Sequence, residues 1–254
     1  MATDKKVTRV SGSKSDGSRP AFVPTAEAKG QAGKFRRNAI ILWALAFVMQ
    51  IIGIWVLCKF APLTAGQRIG VIGILVADLA ALIFGSSLWK KANRFDPPSK
   101  SSALFGIQSQ MGVIMAAVCF LPVIITAFIK KEYIVTAIAA LFMVGGGVAS
   151  ADFNPASQEE YAEQITEVEA LTGKDFVYWT KSGTKFHLYN DCRYINTSKT
   201  TEIFEGSVAD ARKEKNITEL CSACKTKVMK EKGITNEQLQ EAQDAAKNAL
   251  ENGE

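Results

Sequence analysis

Four apolar stretches, residues 39–60, 69–89, 111–129 and 133–149, dominate the first half of the chain. Each has the length a helix needs to cross the hydrocarbon core of a bilayer, about 17–25 residues. Lipid offers the backbone no hydrogen-bond partners, so segments of this kind are helical and satisfy their own N–H and C=O groups. Lys59, at the very end of the first stretch, is the one basic residue in any of them. Trp43, Trp55, Trp89 and Tyr133 lie near stretch ends, where amphipathic rings settle at headgroup level. An ordinary soluble enzyme spread over 254 residues is thereby excluded. The expected fold class is an all-α four-helix transmembrane bundle plus a small α+β zinc-binding domain.

Charge sets the expected orientation. Net charge is +6 over residues 1–38, +5 over 39–149 and −6 over 150–254. Lys34, Arg36 and Arg37 precede the first stretch, and Lys90, Lys91, Arg94 and Lys100 lie between the second and third. The positive-inside rule then puts both termini in the cytoplasm of a plasma-membrane protein, with the short connections 61–68 and 130–132 outside. Lys59, Arg68, Lys130 and Lys131 run against that assignment. A cleavable signal peptide is not expected, because the first apolar run begins only at Ala39. Residues 1–38, rich in Ser, Gly, Lys and Ala without apolar periodicity, read as a disordered basic tail that either is attracted transiently to anionic lipid or is solvated and only sets topology.

Asp78 is the only acidic residue inside a span. A carboxylate at the bilayer centre costs about 2.5–3.5 kcal/mol on insertion scales, so it is a functional candidate by default. Gly73, Ala77, Ala81 and Gly85 recur every four residues beside it, a small-residue ladder for close helix approach. Two readings stand: a protonated Asp bonded to a polar group of a neighbouring span, or a proton or cation site. Cys58 and Cys119 read as packing residues.

Beyond the spans, Ser157-x-x-Glu160 reads as a capping box opening a juxtamembrane helix within residues 150–175. Thr235-x-x-Gln238 opens a C-terminal helix within 233–254, with Leu239, Ala242, Ala246 and Leu250 on one face. That stripe packs on its own domain or dimerises the chain.

The chemistry lies in residues 176–232, which hold the sole His of the chain and three of its five Cys. Cys221-x-x-Cys224 is the spacing with which one tight turn grips an ion, and His187-x4-Cys192 supplies a second pair. Three sulfurs and one imidazole are the closed tetrahedral set of a structural zinc, and soft thiolates disfavour calcium and magnesium. Residues 176–180 and 185–188 read as a hairpin around Lys181-Ser182-Gly183-Thr184. Residues 207–215 read as a helix capped by left-handed Asn216. The expected core is Val177, Trp179, Phe186, Tyr194, Ile203, Phe204 and Leu220.

The run Val177-Tyr178-Trp179-Thr180-Lys181-x-Gly183-x-Lys185-Phe186-His187-x4-Cys192-Arg193-Tyr194-Ile195, with Ser207-x3-Ala211 and Cys221-x-x-Cys224, carries a family likeness. It resembles a small zinc-binding module appended to some bacterial thermonuclease-like and metallo-β-lactamase-fold proteins. The family pattern places Tyr before the His, and Gly and Pro ahead of the Cys pair. Here Phe186, Asn216 and Leu220 stand there, departures that touch turns and leave the ligands intact. The likeness covers about fifty residues and implies zinc at His187, Cys192, Cys221 and Cys224.

Four ligands leave a zinc ion no open position, and with no second His the chain has no His-based general base beside it, so an enzyme is not expected. A net charge of −6 over 150–254 disfavours nucleic acid, which is bound by neutralising phosphates; Lys225, Lys227, Lys230 and Lys232 are the residual basic patch. The expected function is an interaction or scaffolding protein of the bilayer with an unidentified protein partner. The first alternative is a small transporter or channel centred on Asp78. Further alternatives are a zinc- or redox-responsive switch and a nucleic-acid-processing accessory.

Overall fold

The computed structural model describes residues 6–9, 24–100 and 102–252. The chain divides into two units, one of Ala26–Pro98 with Ser102–Pro155, the other of Ala156–Glu254 with Met1–Thr25 and Ser99–Ser101.

The first unit is helical. Its long helices are α1 (Ala26–Phe60), α2 (Ala65–Phe95), α4 (Met111–Ile129) and α5 (Tyr133–Ser150), with the short α3 (Phe105–Ser109) between α2 and α4. All four long helices are apolar and long enough to cross a membrane. Their seam-facing side chains are buried, among them Leu57, Leu75, Leu82, Phe120, Val123 and Ala139. Large apolar side chains on the other faces are open, such as Ile41, Leu45, Phe84, Ile125 and Leu141. The connection between α1 and α2 is closed by a capping box, in which Gln67 N–H donates to Thr64 Oγ1 at 3.4 Å and Thr64 N–H to Gln67 Oε1 at 3.0 Å. Glu132 is buried at the turn between α4 and α5, accepting from Leu63 N–H at 2.7 Å and Arg68 Nε at 3.0 Å.

Two boundaries differ from the sequence reading. Helix α1 begins at Ala26 and α2 continues to Phe95, so residues 26–38 are helix where a disordered tail is expected. Ala, Glu, Lys, Gln and Arg in this segment are good helix formers, and the extension has a partner. Phe35 meets Phe95 at 5.6 Å between centroids, and Arg36 Nη1 binds Asp96 Oδ2 at 2.7 Å. The small-residue ladder is also divided. Ala81 and Gly85 are buried, while Gly73 and Ala77 are exposed. At Gly85 an added Cβ would lie 2.5 Å from Trp43 Nε1, which is why only glycine fits there.

The second unit is α+β. Its helices are α6 (Gln158–Thr172), α7 (Val208–Lys215), α8 (Ser222–Lys232) and α9 (Asn236–Asn252), and its strands are β1 (Lys6–Arg9), β2 (Val177–Thr180), β3 (Lys185–Phe186), β4 (Glu202–Gly206) and β5 (Glu219–Leu220). One sheet has the order β1-β4-β2, with β1 parallel and β2 antiparallel to β4; β3 and β5 form a parallel pair. Strand β1 lies inside the expected disordered tail. β-branched Val7 and Thr8 suit the extended edge it adds to β4.

The hydrophobic core joins Val168 and Leu171 of α6 and Leu239 of α9 to Val177, Trp179, Phe186, Val208, Ile217 and Val228. The juxtamembrane and C-terminal helices are therefore part of this domain, not additions to a module ending at residues 176 and 232. Leu239 packs on its own domain; the side chains of Ala246 and Leu250 lie outside the described residues. Tyr194, expected in the core, is 58% exposed, and the next residue, Ile195, is the one this turn buries; the Tyr194 ring lies 4.9 Å from the Arg193 guanidinium. Ile203 is buried as expected, and Phe204 and Leu220 are half-buried at the core's edge.

Candidate metal centre

The hairpin places the first ligand. Tyr178 N–H donates to His187 O at 2.8 Å and His187 N–H to Tyr178 O at 2.7 Å, fixing the imidazole just past β3. The chain then turns through Tyr189-Asn190-Asp191, where Cys192 N–H donates to Tyr189 O at 3.3 Å. Cys221 arrives from β5, its N–H donating to Phe186 O at 2.9 Å, so the strand pair sets both sides of the site in one register. Cys221 is the N-cap of α8 and Cys224 lies in its first turn. Asn216, at φ 54°, takes the left-handed cap expected after α7 and redirects the chain toward β5.

One ligand atom from each of His187, Cys192, Cys221 and Cys224 lies within 4.8 Å of the others. Cys224 Sγ and His187 Nδ1 are 3.8 Å apart. In a tetrahedron, Zn–S bonds of about 2.3 Å and a Zn–N bond of about 2.0 Å put two sulfurs about 3.8 Å apart and sulfur and nitrogen about 3.5 Å apart, so this pair is near the required spacing and the others need shifts of at most about 1 Å. His187, Cys221 and Cys224 are buried and Cys192 is half-buried, and all three thiols are free of disulfides. The donor set fits a soft, borderline divalent ion.

Electrostatics follows from burial. Desolvation pushes the His187 imidazole down to about 4, so it is neutral and carries a lone pair for a metal. Burial, reinforced by the Cys192 and Cys221 sulfurs, pushes the Cys224 thiol up to about 12. The N-terminus of α8 favours negative sulfur at Cys221 and Cys224 but supplies only a partial positive charge. A bound divalent ion would complete the balance.

Surrounding contacts hold the ligand-bearing elements. Lys225 on α8 binds Glu167 on α6 at 2.6 Å, and Lys227 Nζ lies 4.3 Å above the Tyr189 ring, whose hydroxyl donates to Glu231 Oε2 at 2.9 Å. Two lysines of the residual basic patch are thus engaged inside the domain. A cavity of about 250 Å³ lined by Tyr189, Asp191, Cys192, Arg193 and Lys227 opens beside the cluster, on the side of its least buried ligand.

Sequence reading does not find Arg212. This residue is fully buried, donating to Glu160 Oε2 at 2.8 Å and Gln164 Oε1 at 3.1 Å with its guanidinium 4.8 Å above the Tyr161 ring. Ser157 Oγ caps α6 by accepting from Glu160 N–H at 3.2 Å, but Glu160 turns to Arg212 and does not complete the expected capping box. The remaining sequence candidate, Asp78, belongs to the helical unit, where it is fully buried. The chain matches no protein-family model, no curated protein and no solved structure.

Proposed function

We propose that this chain is a multi-pass membrane protein whose soluble domain is held together by a structural zinc ion and serves as an interaction or scaffolding module. The observation that carries the zinc reading is the convergence of four ligand atoms, drawn from a hairpin, a turn and a helix start, to within 4.8 Å. One imidazole and three thiolates saturate a tetrahedral ion, leaving no position for water or substrate, so the metal's role is to hold the fold. A domain of this size, with two-residue strands flanking the site, gains folding free energy from such a clip. The likeness to appended zinc modules supports the same assignment of His187, Cys192, Cys221 and Cys224.

The membrane reading is supported by the open apolar faces of all four long helices, which water would penalise and lipid accommodates. The cytoplasmic placement of both ends in the cell membrane rests on the basic residues in the N-terminal part of α1, at the C-terminal end of α2 and, as Lys100, just beyond it. Arg68, one of the residues against that placement, is paired with Glu132. A scaffolding role, and not a nucleic-acid one, is supported by the acidic balance of residues 150–254.

Metal analysis of protein purified without added zinc is expected to find one equivalent per chain, lost in Cys221→Ser together with the Trp179 fluorescence of the folded domain. Absence of stoichiometric metal in well-folded protein overturns the zinc reading. Cross-linking in native membranes is expected to capture a protein partner in contact with residues 156–254; recovery of nucleic acid on the domain overturns the scaffolding reading.

A further inference from the structure

Helices α1 and α2 run antiparallel, and four contacts fix their register: Phe35 with Phe95, Arg36 with Asp96, Trp43 with Gly85, and Gly53 with Ile74. Between the last two, Gln50 and Asp78 fall at the same level of the seam. Both face inward, 1% and 0% exposed. Gln50 Nε2 and Oε1 and both Asp78 carboxyl oxygens are buried without a hydrogen-bond partner among the described residues. Four unpartnered polar atoms from two facing helices, in a core otherwise lined by Ala46, Leu75, Leu82 and Phe120, call for a ligand.

Its class follows from the donor inventory. A bare carboxylate here has no cationic partner, since α4 and α5 carry no Lys, Arg or His and the basic residues of α1 and α2 lie toward their ends. Hard metal ions take about six or more oxygens, and this site offers three from side chains. A proton meets the requirement. A carboxylic acid has one donor and an acceptor, and a primary amide presents the complementary pair. The titratable side chain that α4 places within electrostatic reach of Asp78 is Cys119. α1 and α5 place none at this level, Lys59 and Tyr133 standing at helix ends.

We propose that Asp78 and Gln50 form one proton-binding site in the α1–α2 seam, in which rotation of the two unpartnered side chains lets the neutral Asp78 carboxyl donate to Gln50 Oε1 and accept from Gln50 Nε2. The proton comes from water and returns to it. Its departure leaves an uncompensated charge between the helices, so occupancy of this site controls how tightly the seam closes.

The inference rests on reading α1 and α2 as membrane spans, and the test separates the two. The full chain is reconstituted into phosphatidylcholine vesicles, where failure to float with lipid sinks the membrane reading alone. Infrared spectra of floated protein are then recorded at neutral pH in an Asp175→Asn background, because burial pushes the Asp175 carboxyl up to about 7 and it would add a band of its own. A protonated-carboxyl band is expected, lost in Asp78→Asn, which keeps an amide facing Gln50. In Gln50→Leu the band is expected to remain and shift toward the position of an unbonded acid. Aspartate labelled with ¹³C identifies the band in protein without a substitution at position 78, should that variant fail to fold. Absence of the acid band, its indifference to Gln50→Leu, or its disappearance on adding Na⁺ at constant pH each overturns the proposal, the last in favour of a metal-cation site.

Discussion

Arg212→Met tests whether the buried guanidinium ties α7 to α6 or merely fills space. Methionine retains much of the aliphatic stem but removes the 2.8 Å bond to Glu160, the 3.1 Å bond to Gln164 and the stacking on Tyr161. Breaking a buried pair costs about 3–5 kcal/mol when the remaining charge stays buried. The Glu160 side chain is 27% exposed and regains some water, so the expected loss is about 2–3 kcal/mol. Urea unfolding of full-length protein in detergent, at saturating zinc so that metal linkage is constant, reports this through Trp179, the sole Trp of its unit. With a slope of about 2 kcal/mol per M, the midpoint is expected to fall by about 1–1.5 M. A double-mutant cycle with Glu160→Gln isolates the pair, with an expected coupling of about 1–2 kcal/mol. A shift of Arg212→Met below about 0.5 kcal/mol, or additivity in the cycle, would refute the argument that charge, not volume, is what α7 contributes here.

Other perturbations follow from single contacts. Burial raises the Asp175 carboxyl from 3.8 to about 7, so its favourable contribution is full below its unfolded value and is lost as pH rises through about 7, at most about 4 kcal/mol. Asp175→Asn keeps an oxygen for Val208 N–H, which donates at 2.8 Å; the variant-minus-wild-type stability is expected to grow between pH 5 and 8, and a constant difference contradicts the assignment. Gly85→Ala forces a Cβ within 2.5 Å of Trp43 Nε1 and is expected to cost about 1–3 kcal/mol in a detergent melt, whereas Gly73→Ala, with open space around it, is expected to be neutral. After chelation, alkylation followed by peptide mapping is expected to modify half-buried Cys192 before Cys221 and Cys224, which are 4% and 2% exposed; equal rates would show that the cluster opens as a whole.

Much of this molecule is readable in the chain. Lipid-length apolar runs mark all four long helices, because helix formation in an apolar stretch of this length is a local matter. The His/Cys cluster was also legible: Cys221-x-x-Cys224 and His187-x4-Cys192 are short-range patterns, and their four side chains converge. Asn216 and the Thr235–Gln238 capping box followed from residue type alone, the latter realised with Thr235 N–H donating to Gln238 Oε1 at 3.0 Å. Failures occurred where a partner far along the chain intervened. Glu160 satisfies the capping pattern but is drawn to Arg212. Gln50 went unremarked although an amide inside an apolar run is itself a signal.

Residue spacing alone thus identified the four long helices and the four metal-ligand candidates, since both depend on the character of neighbouring residues. The domain limits required the folded chain: α6, α9 and β1 join the unit that carries the His/Cys cluster through Val168, Leu239 and the pairing of Lys6–Arg9 with β4. So did the placing of Gln50 and Asp78, both buried and unpartnered, at one level of the α1–α2 seam, whose register is set by where Gly85 lets Trp43 approach. Contacts between residues distant in sequence depend on complementary shape and charge that only packing brings into range.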